Sequence, residues 1–296
     1  MVGAGPAGLA CASILSERGH NVTLFEASDA IGGQFKLAAN VPGKEEFVET
    51  LKYYQARLQN VQVKLNTRAS LNDLMSFEKV VIATGVAPRE PEIPGLKESK
   101  IAIRYDELLR GEKKAGNRVG IIGAGGIGFD VATFLSAAWK MDPEKPQSIE
   151  SFNKQWGIST DPSVRGGLVA PEKHSPKRTI YLMQRKEGKL GSNLSKTTGW
   201  IHRAALKQEG VINIAGVTYK RVLDNGLVIE VDGKEQTLQV DSIIVCAGQN
   251  PVRDLFDQLK KAKKEDDVHL IGGAFEAKEI DAKAAIRQAS ILASKI

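Results

Sequence analysis

Two copies of one six-residue glycine pattern lie in this chain, 120 residues apart. Gly3-Ala4-Gly5-Pro6-Ala7-Gly8 reads GxGxxG, and Gly123-Ala124-Gly125-Gly126-Ile127-Gly128 repeats it. Each is followed by a run that reads as a helix, Leu9 to Arg18 and Phe129 to Ala138. Glycine is needed at three places in such a loop. The first allows the tight turn, the second lets backbone approach a pyrophosphate, and the third lets the helix pack on its strand. The free N–H groups of the helix then face the phosphates, and the helix dipole favours negative charge there. One such pattern is a weak signal. Two of them, each at a strand-to-helix junction, point to two nucleotides held in one protein, and hydride transfer between them is the natural use. Gly3, Gly5, Pro6, Ala7 and Gly8 are the candidate residues of the first seat. Gly123, Gly125 and Gly128 are those of the second.

The second loop has a clear lead-in strand, Val119-Gly120-Ile121-Ile122, whereas only Met1 and Val2 precede the first. The chain therefore reads as cut from something longer. With so short a strand, the first loop is expected to be poorly anchored. Some ladder partners should be unpaired or exposed, and the nucleotide held there should bind weakly.

The residues downstream of each loop separate the two seats. Glu26 ends the strand Val22 to Phe25, 18 residues after Gly8, where an acid accepts hydrogen bonds from adenosine ribose hydroxyls. A solvated strand-end carboxylate is the plain alternative. In the second fold the strand Thr179 to Met183 is followed by Gln184-Arg185-Lys186, with no acid. A carboxylate there would repel a ribose 2′-phosphate; a cationic pair attracts it, each charge-assisted hydrogen bond contributing roughly 1.5–3 kcal/mol. Arg185 and Lys186 are thus read as an NADP phosphate clamp, a basic strand end being the alternative. Small residues at other strand ends, Thr84-Gly85 and Ala247-Gly248, would let backbone approach a flat ligand.

Composition bounds the rest. A chain of 296 residues, 42% apolar and 26% charged, suits two globular domains. A net charge of +6, from 41 basic and 35 acidic residues, is mild; it suits anionic cofactors and does not argue for nucleic acid. Lys260-Lys261-Ala262-Lys263-Lys264 runs directly into Glu265-Asp266-Asp267, as a solvated helix end would. Apolar runs are too short for a membrane span, and Met1 precedes no secretory signal pattern, so the cytoplasm is expected. Cys11 and Cys246 form no CxxC pair and no metal-ligand cluster, and both are expected to be packing thiols. Of His20, His174, His202 and His269, none shares a spacing; His202 is the one to test.

Along the chain, helical spacing runs from Phe47 to Leu58. Strands are expected at Val61 to Leu65, Lys79 to Ala83, Asp241 to Ala247 and Val268 to Gly273, and a closing helix at Asp281 to Ile296. Pro88, Pro91, Pro94 and Gly95 mark a crossing between domains. From 141 to 177, five prolines and Gly166-Gly167 indicate an irregular insertion. Asp224-Asn225-Gly226 and Asp232-Gly233 are turns between short strands.

Taken together, GAGPAG with Glu26, IGGQF at 31–35, VPGKEEF at 41–47, ATG at 83–85, IIGAGGIGFD at 121–130, QRK at 184–186, KTTGWIHR at 196–203, CAGQNP at 246–251 and HLIGG at 269–273 form a set. This set resembles the C-terminal part of bacterial NADPH-dependent 2,4-dienoyl-CoA reductases, in the multidomain family of trimethylamine dehydrogenase and the old yellow enzyme-like reductases. The resemblance spans nearly the whole chain; KTTGWIHR, PGKEEF and the insertion are its more specific parts. It implies an FAD seat that includes Gly33, Gln34, Thr84, Gly85 and Gly248. It also implies a parent enzyme with an FMN-carrying barrel and an iron–sulfur segment, both absent from this chain, which reduces dienoyl-CoA in fatty acid β-oxidation. Gly272-Gly273 stands where many flavoproteins of this architecture have Gly-Asp, so Asp281 and Ala282 are the expected flavin-side contacts, with the helix N-terminus facing the ring.

The expected fold is α/β, with two interleaved Rossmann-like domains. One binds FAD through 1–100 and 240–296; the other binds NADPH through 101–239. The expected reaction is hydride transfer from NADPH to FAD, without membrane or nucleic-acid partners. A reductase of another acceptor, a thioredoxin-reductase-like enzyme (against which the missing CxxC argues) and a folded fragment without FAD are the alternatives.

Overall fold

The computed structural model describes residues 1–136, 148–172, 176–263, 265–277 and 281–296. His174, Lys264, residues 137–138 of the expected second loop helix, and residues 141–147 and 173–175 of the proline-rich segment lie outside them. Up to Arg89 the chain forms α1 (Pro6–Glu17), β1 (Thr23–Phe25), α2 (Gln34–Ala39), α3 (Phe47–Arg57), β2 (Gln62–Lys64), α4 (Leu71–Leu74), β3 (Val80–Ile82) and β4 (Val86–Pro88). The middle of the chain carries β5 (Ala102–Arg104), α5 (Tyr105–Leu109), β6 (Arg118–Ile122), α6 (Gly126–Leu135), α7 (Ile149–Trp156), β7 (Thr179–Met183) and α8 (Gly199–Gln208). Then come β8 (Ile212–Ile214), β9 (Thr218–Leu223), β10 (Gly226–Val231), β11 (Lys234–Gln239) and β12 (Ser242–Val245). The chain closes with β13 (Gln249–Pro251), α9 (Asp254–Ala262), β14 (Val268–Leu270) and α10 (Ala282–Ala293).

Two compact units divide it. One is Met1–Asn40, Lys44–Arg89 and Gly248–Ile296; the other is Val41–Gly43 and Glu90–Ala247. The crossing lies with the second unit because its residues pack there. Val222 N–H donates to Pro94 O at 2.8 Å, and Ile93 and Leu96 belong to that unit's core. The divisions therefore fall at 89/90 and 247/248, where the sequence places them near 100 and 240.

The second unit's sheet runs β5-β12-β6-β7-β8, all parallel. Its central strands are apolar and buried beyond their first residues, Arg118 of β6 and Ser242 of β12, as strands covered on both faces are. The first unit builds the same order with a minimal centre: β14 pairs β3, Ile82 bridges Val2, Val2 bridges Phe25, and β1 pairs β2. The expectation of unpaired ladder partners is corrected here. Val2 N–H donates to Val81 O and Val2 O accepts from Ala83 N–H, while Met1 O accepts from Phe25 N–H and Gly3 N–H donates to Phe25 O. Met1 and Val2 are both buried. Two residues suffice because each already reaches a neighbouring strand.

In the first unit the small residues of α1 (Ala7, Ala10, Cys11, Ala12) share a core with Ala285, Ala289 and Ala293 of α10. The proline-rich segment also departs from expectation, because it contains α7. Ser148 Oγ accepts from Ser151 N–H at the start, Glu150 and Lys154 pair at 2.7 Å, and Gly157 closes the end. None of the five prolines falls inside it.

Beneath the second glycine loop, α5 packs on α6. Asp106 of α5 is 5% exposed and is bridged by Arg104 at 2.6 Å and Arg110 at 2.7 Å. Burial pushes its carboxyl pKa up, but the two guanidinium groups outweigh it and hold the carboxyl below its ordinary value. A depressed folded-state pKa contributes stability above the unfolded pKa and loses it as pH falls through the folded one. Asp106→Ala should cost about 1–3 kcal/mol at pH 7. The gap to the unsubstituted protein in urea midpoint should narrow at pH 3; an unchanged gap would show that the pair is not the source.

Candidate functional site

The first seat is built where α1 begins. Gly3 has φ +97°, and a Cβ there would lie 2.4 Å from Ala83 O. A Cβ on Gly8 would lie 1.8 Å from Gly3 O. These two glycines are required by protein packing. Gly5 is different: a Cβ there would have no protein atom within 4 Å. The space beside its α-carbon is open, which is what close approach of a pyrophosphate to backbone needs. Pro6 occupies the first turn, where its missing N–H costs nothing. Ala7 is buried, and its Cβ lies 2.8 Å from where one on Gly272 would be. Gly33 leans over the loop, a Cβ on it falling 3.1 Å from the Gly5 α-carbon. Gln34 is next, as the first residue of α2, and Gly32 N–H donates to Ala4 O at 2.8 Å.

Glu26 is tied into this loop. Its Oε2 accepts from Ala4 N–H at 2.7 Å, and its Oε1 accepts from Ser28 N–H at 2.8 Å and Ser28 Oγ at 2.7 Å. The carboxylate is therefore pre-oriented at the gap between loop and strand end. A carboxylate takes about four hydrogen bonds, so this one can also accept from a ribose hydroxyl. Ser28 is a residue that motif reading passes over; its signal is only its place two residues after the acid.

The second seat repeats this geometry. Gly123 has φ +107° and a Cβ on it would meet Cys246 O at 2.3 Å. One on Gly128 would meet Gly123 O at 1.9 Å, and Gly125 again faces open space. Gly123 N–H donates to Met183 O just as Gly3 N–H donates to Phe25 O. That match sets Met183 against Phe25 and Gln184 against Glu26. An amide therefore stands where the first seat has its acid. Its Nε2 donates to Lys186 O at 2.9 Å and Gly188 O at 3.3 Å, folding the turn that leaves Arg185 and Lys186 exposed. Both seats thus have the open cradle and the positioned groups that a dinucleotide requires, one ending in a carboxylate and the other in cations.

The remaining candidate residues are spread over both units. Thr84 Oγ1 donates to Val252 O at 2.6 Å, and Gly85 O accepts from Val252 N–H at 3.0 Å. Gly248 has its α-carbon covered by the Arg89 guanidinium, 2.9 Å from where a Cβ would be, and lines a cleft of about 490 Å³ with Arg89, Arg253 and Phe275. Arg253 Nε is itself spent on Ala274 O at 2.7 Å. A Cβ on Gly273 would fall 3.4 Å from the Gly85 α-carbon, and Gly272 N–H donates to Gln288 Oε1 at 2.9 Å. Asp281 caps α10: its Oδ1 accepts from Ala284 N–H at 2.7 Å, and Ala282 is the first helical residue. His202 is half-buried on α8, whose Arg203 donates to Gly191 O, and Gly191 lies against Phe129 of α6. Among the described residues no cluster could hold a metal ion and no helix is long and apolar enough to cross a membrane.

Residues 1–271 match the family described as pyridine nucleotide-disulphide oxidoreductase. The chain is 29% identical over 288 residues to a metal reductase of Desulforamulus reducens, covering 95% of this chain and 41% of that one. It is 27% identical over 265 residues to a cinnamate reductase of Clostridium sporogenes, covering 88% of this chain and 34% of the other. In structure it is similar to a 2-naphthoyl-CoA reductase in complex with 2-naphthoyl-CoA, with a TM-score of 0.79 and 25% identity, over 100% of this chain and 39% of that one. It thus spans about two fifths or less of the length of these proteins, matching the dinucleotide-binding module of larger reductases of the trimethylamine dehydrogenase and old yellow enzyme kind. The chain belongs to the pyridine nucleotide-disulphide oxidoreductase family of FAD- and NAD(P)H-dependent oxidoreductases.

Proposed function

We propose that this chain accepts hydride from NADPH onto FAD, as the electron-input module of a larger enzyme that resembles 2,4-dienoyl-CoA reductase. The observation that carries the reading is the difference in charge between two equivalent strand ends. Glu26 ends the second strand of one seat, and Gln184-Arg185-Lys186 ends that of the other. When bound, the two cofactors supply the redox chemistry, the nicotinamide as hydride donor and the flavin as acceptor. The protein's part is placement, which is where most of the rate gain in such a transfer arises.

In the first seat, Gly5 and the α1 N-terminus receive the FAD pyrophosphate, Glu26 takes the adenosine ribose, and Gly33 with Gln34 borders the loop. In the second, Gly125 and the α6 N-terminus receive the NADPH pyrophosphate while Arg185 and Lys186 neutralise the 2′-phosphate. Thr84, Gly85, Asp281 and Ala282 are assigned to the flavin end of the first seat. Relatives named for 2-naphthoyl-CoA and cinnamate reduction support an unsaturated acyl substrate for the parent enzyme. In that parent, an FMN barrel and an iron–sulfur segment carry the electrons onward.

Replacing Arg185 and Lys186 together by Ala should raise the KM for NADPH by roughly 10- to 100-fold and leave that for NADH within about threefold. Equal loss with both nucleotides would remove the clamp. Separately, the chain reconstituted with FAD should carry electrons from NADPH to ferricyanide and leave a dienoyl-CoA unreduced. Dienoyl-CoA turnover by this chain alone would sink the module reading.

A further inference from the structure

Tyr219 lies on β9, and a bulge decides where it points. Val228 of β10 pairs Arg221, but the next residue, Ile229, pairs Tyr219, so Lys220 has no partner across the ladder. Directly opposed residues share a face of the sheet. Tyr219 and Val222 are three apart and would face opposite sides of a regular strand. With the bulge, Tyr219 shares the face of Ile229 and Val222 that of Leu227, which is the core face. Lys220, the extra residue, is held by Glu230 at 3.0 Å. Bulges that re-aim one side chain recur next to functional sites.

The side chain so turned ends beside the second nucleotide seat. Its hydroxyl lies near the Gly123 amide, the Arg185 guanidinium and the Cys246 thiol. The oxygen is buried and has no hydrogen-bond partner. Gly123 N–H, which donates to Met183 O at 2.9 Å, also approaches the phenol oxygen, but a backbone N–H can offer no acceptor to the phenol O–H. Burial raises the phenol's pKa, with Arg185 pulling the other way, so the group is a neutral O–H donor at any ordinary pH. A donor left unpaired in this way carries a desolvation cost that a phenylalanine of the same shape would not. In the first seat the loop and the second-strand end are linked by Glu26, whose Oε2 accepts from Ala4 N–H at 2.7 Å.

Resting on the NADPH reading, we propose that Tyr219 is a specificity-determining residue of the second seat, its O–H donating to the ribose 2′-phosphate that Arg185 neutralises. The phosphate accepts, the phenol stays protonated, and no proton is transferred. Because the O–H has no acceptor in the protein alone, its removal weakens the complex and not the fold.

The test is Tyr219→Phe in the full chain reconstituted with FAD, read by calorimetric binding of NADPH and of NADH and by the thermal midpoint without nucleotide. The Kd for NADPH should rise about tenfold or more, that for NADH should change by less than about twofold, and the midpoint should stay or rise. Equal weakening of both nucleotides, or none, would overturn the proposal. So would a fall in the midpoint, which would show that the hydroxyl is satisfied within the fold. An unsubstituted protein that binds NADH and NADPH alike would overturn the NADPH reading and this proposal with it. A preference for NADPH that survives undiminished in Tyr219→Phe would overturn this proposal alone.

Discussion

Each unit hangs on a place where two backbones meet with no room for a side chain. A Cβ on Gly3 would sit 2.4 Å from Ala83 O, and one on Gly123 would sit 2.3 Å from Cys246 O. The two carbonyls lie just past the ends of β3 and β12, the strands that flank the lead-in strand in each sheet. The contact therefore fixes the glycine loop against the C-terminal edge of the sheet. Gly8 and Gly128 then close the first helical turn back onto the same glycine's carbonyl. Once these contacts hold, Gly5 and Gly125 are left facing open space with the free N–H groups of α1 and α6 around them. The cradle results from the packing; no additional residue has to build it.

With the scaffold duplicated, the two seats differ in a few side chains at the end of the second strand. Glu26 is held by three donors from the loop and from Ser28, so it meets a ligand without reorganising. Pre-organisation of this kind lowers the cost of binding more than another contact would. Gln184 cannot repel a phosphate, and its side chain is used to shape the turn that presents Arg185 and Lys186. The two ends of the second strands therefore differ in how rigidly they are held as well as in charge. The acid is fixed, whereas the cations stand exposed.

The features set by local chemistry were legible in the chain itself. Both loops, the acid at 26, the cations at 185 and 186, the parallel α/β architecture and the turn at Asp232-Gly233 are read from residue type and spacing. Features that depend on register or on distant partners did not show. The pairing of Val2 on both sides needs the carbonyls of residues 23–25 and 80–82, which no window around Met1 contains. Helix α7 was hidden by prolines that lie around it, although Ser148 and Gly157 were there to mark its ends. Gln288 accepts from Gly272 N–H across the unit, a bond that reflects tertiary position alone, whereas Ser28 bonds locally to Glu26 in a pattern shared by many solvated turns. Tyr219 is the sharpest case, because a single bulged residue reverses the face that alternation assigns to it.

The family is named for disulphide chemistry, yet neither thiol here is suited to it. The thiolate is the reactive form. Cys11 is fully enclosed in the core shared by α1 and α10, and burial pushes its pKa up to about 12. At pH 7 such a thiol is about one part in 10⁵ ionised. Cys246 lies just past the end of β12 in the other unit, where burial likewise raises its pKa. Its backbone carbonyl rather than its sulfur is what the second glycine loop uses. With Cys11 in one unit's core and Cys246 in the other unit, both buried, these two thiols do not form a disulphide pair.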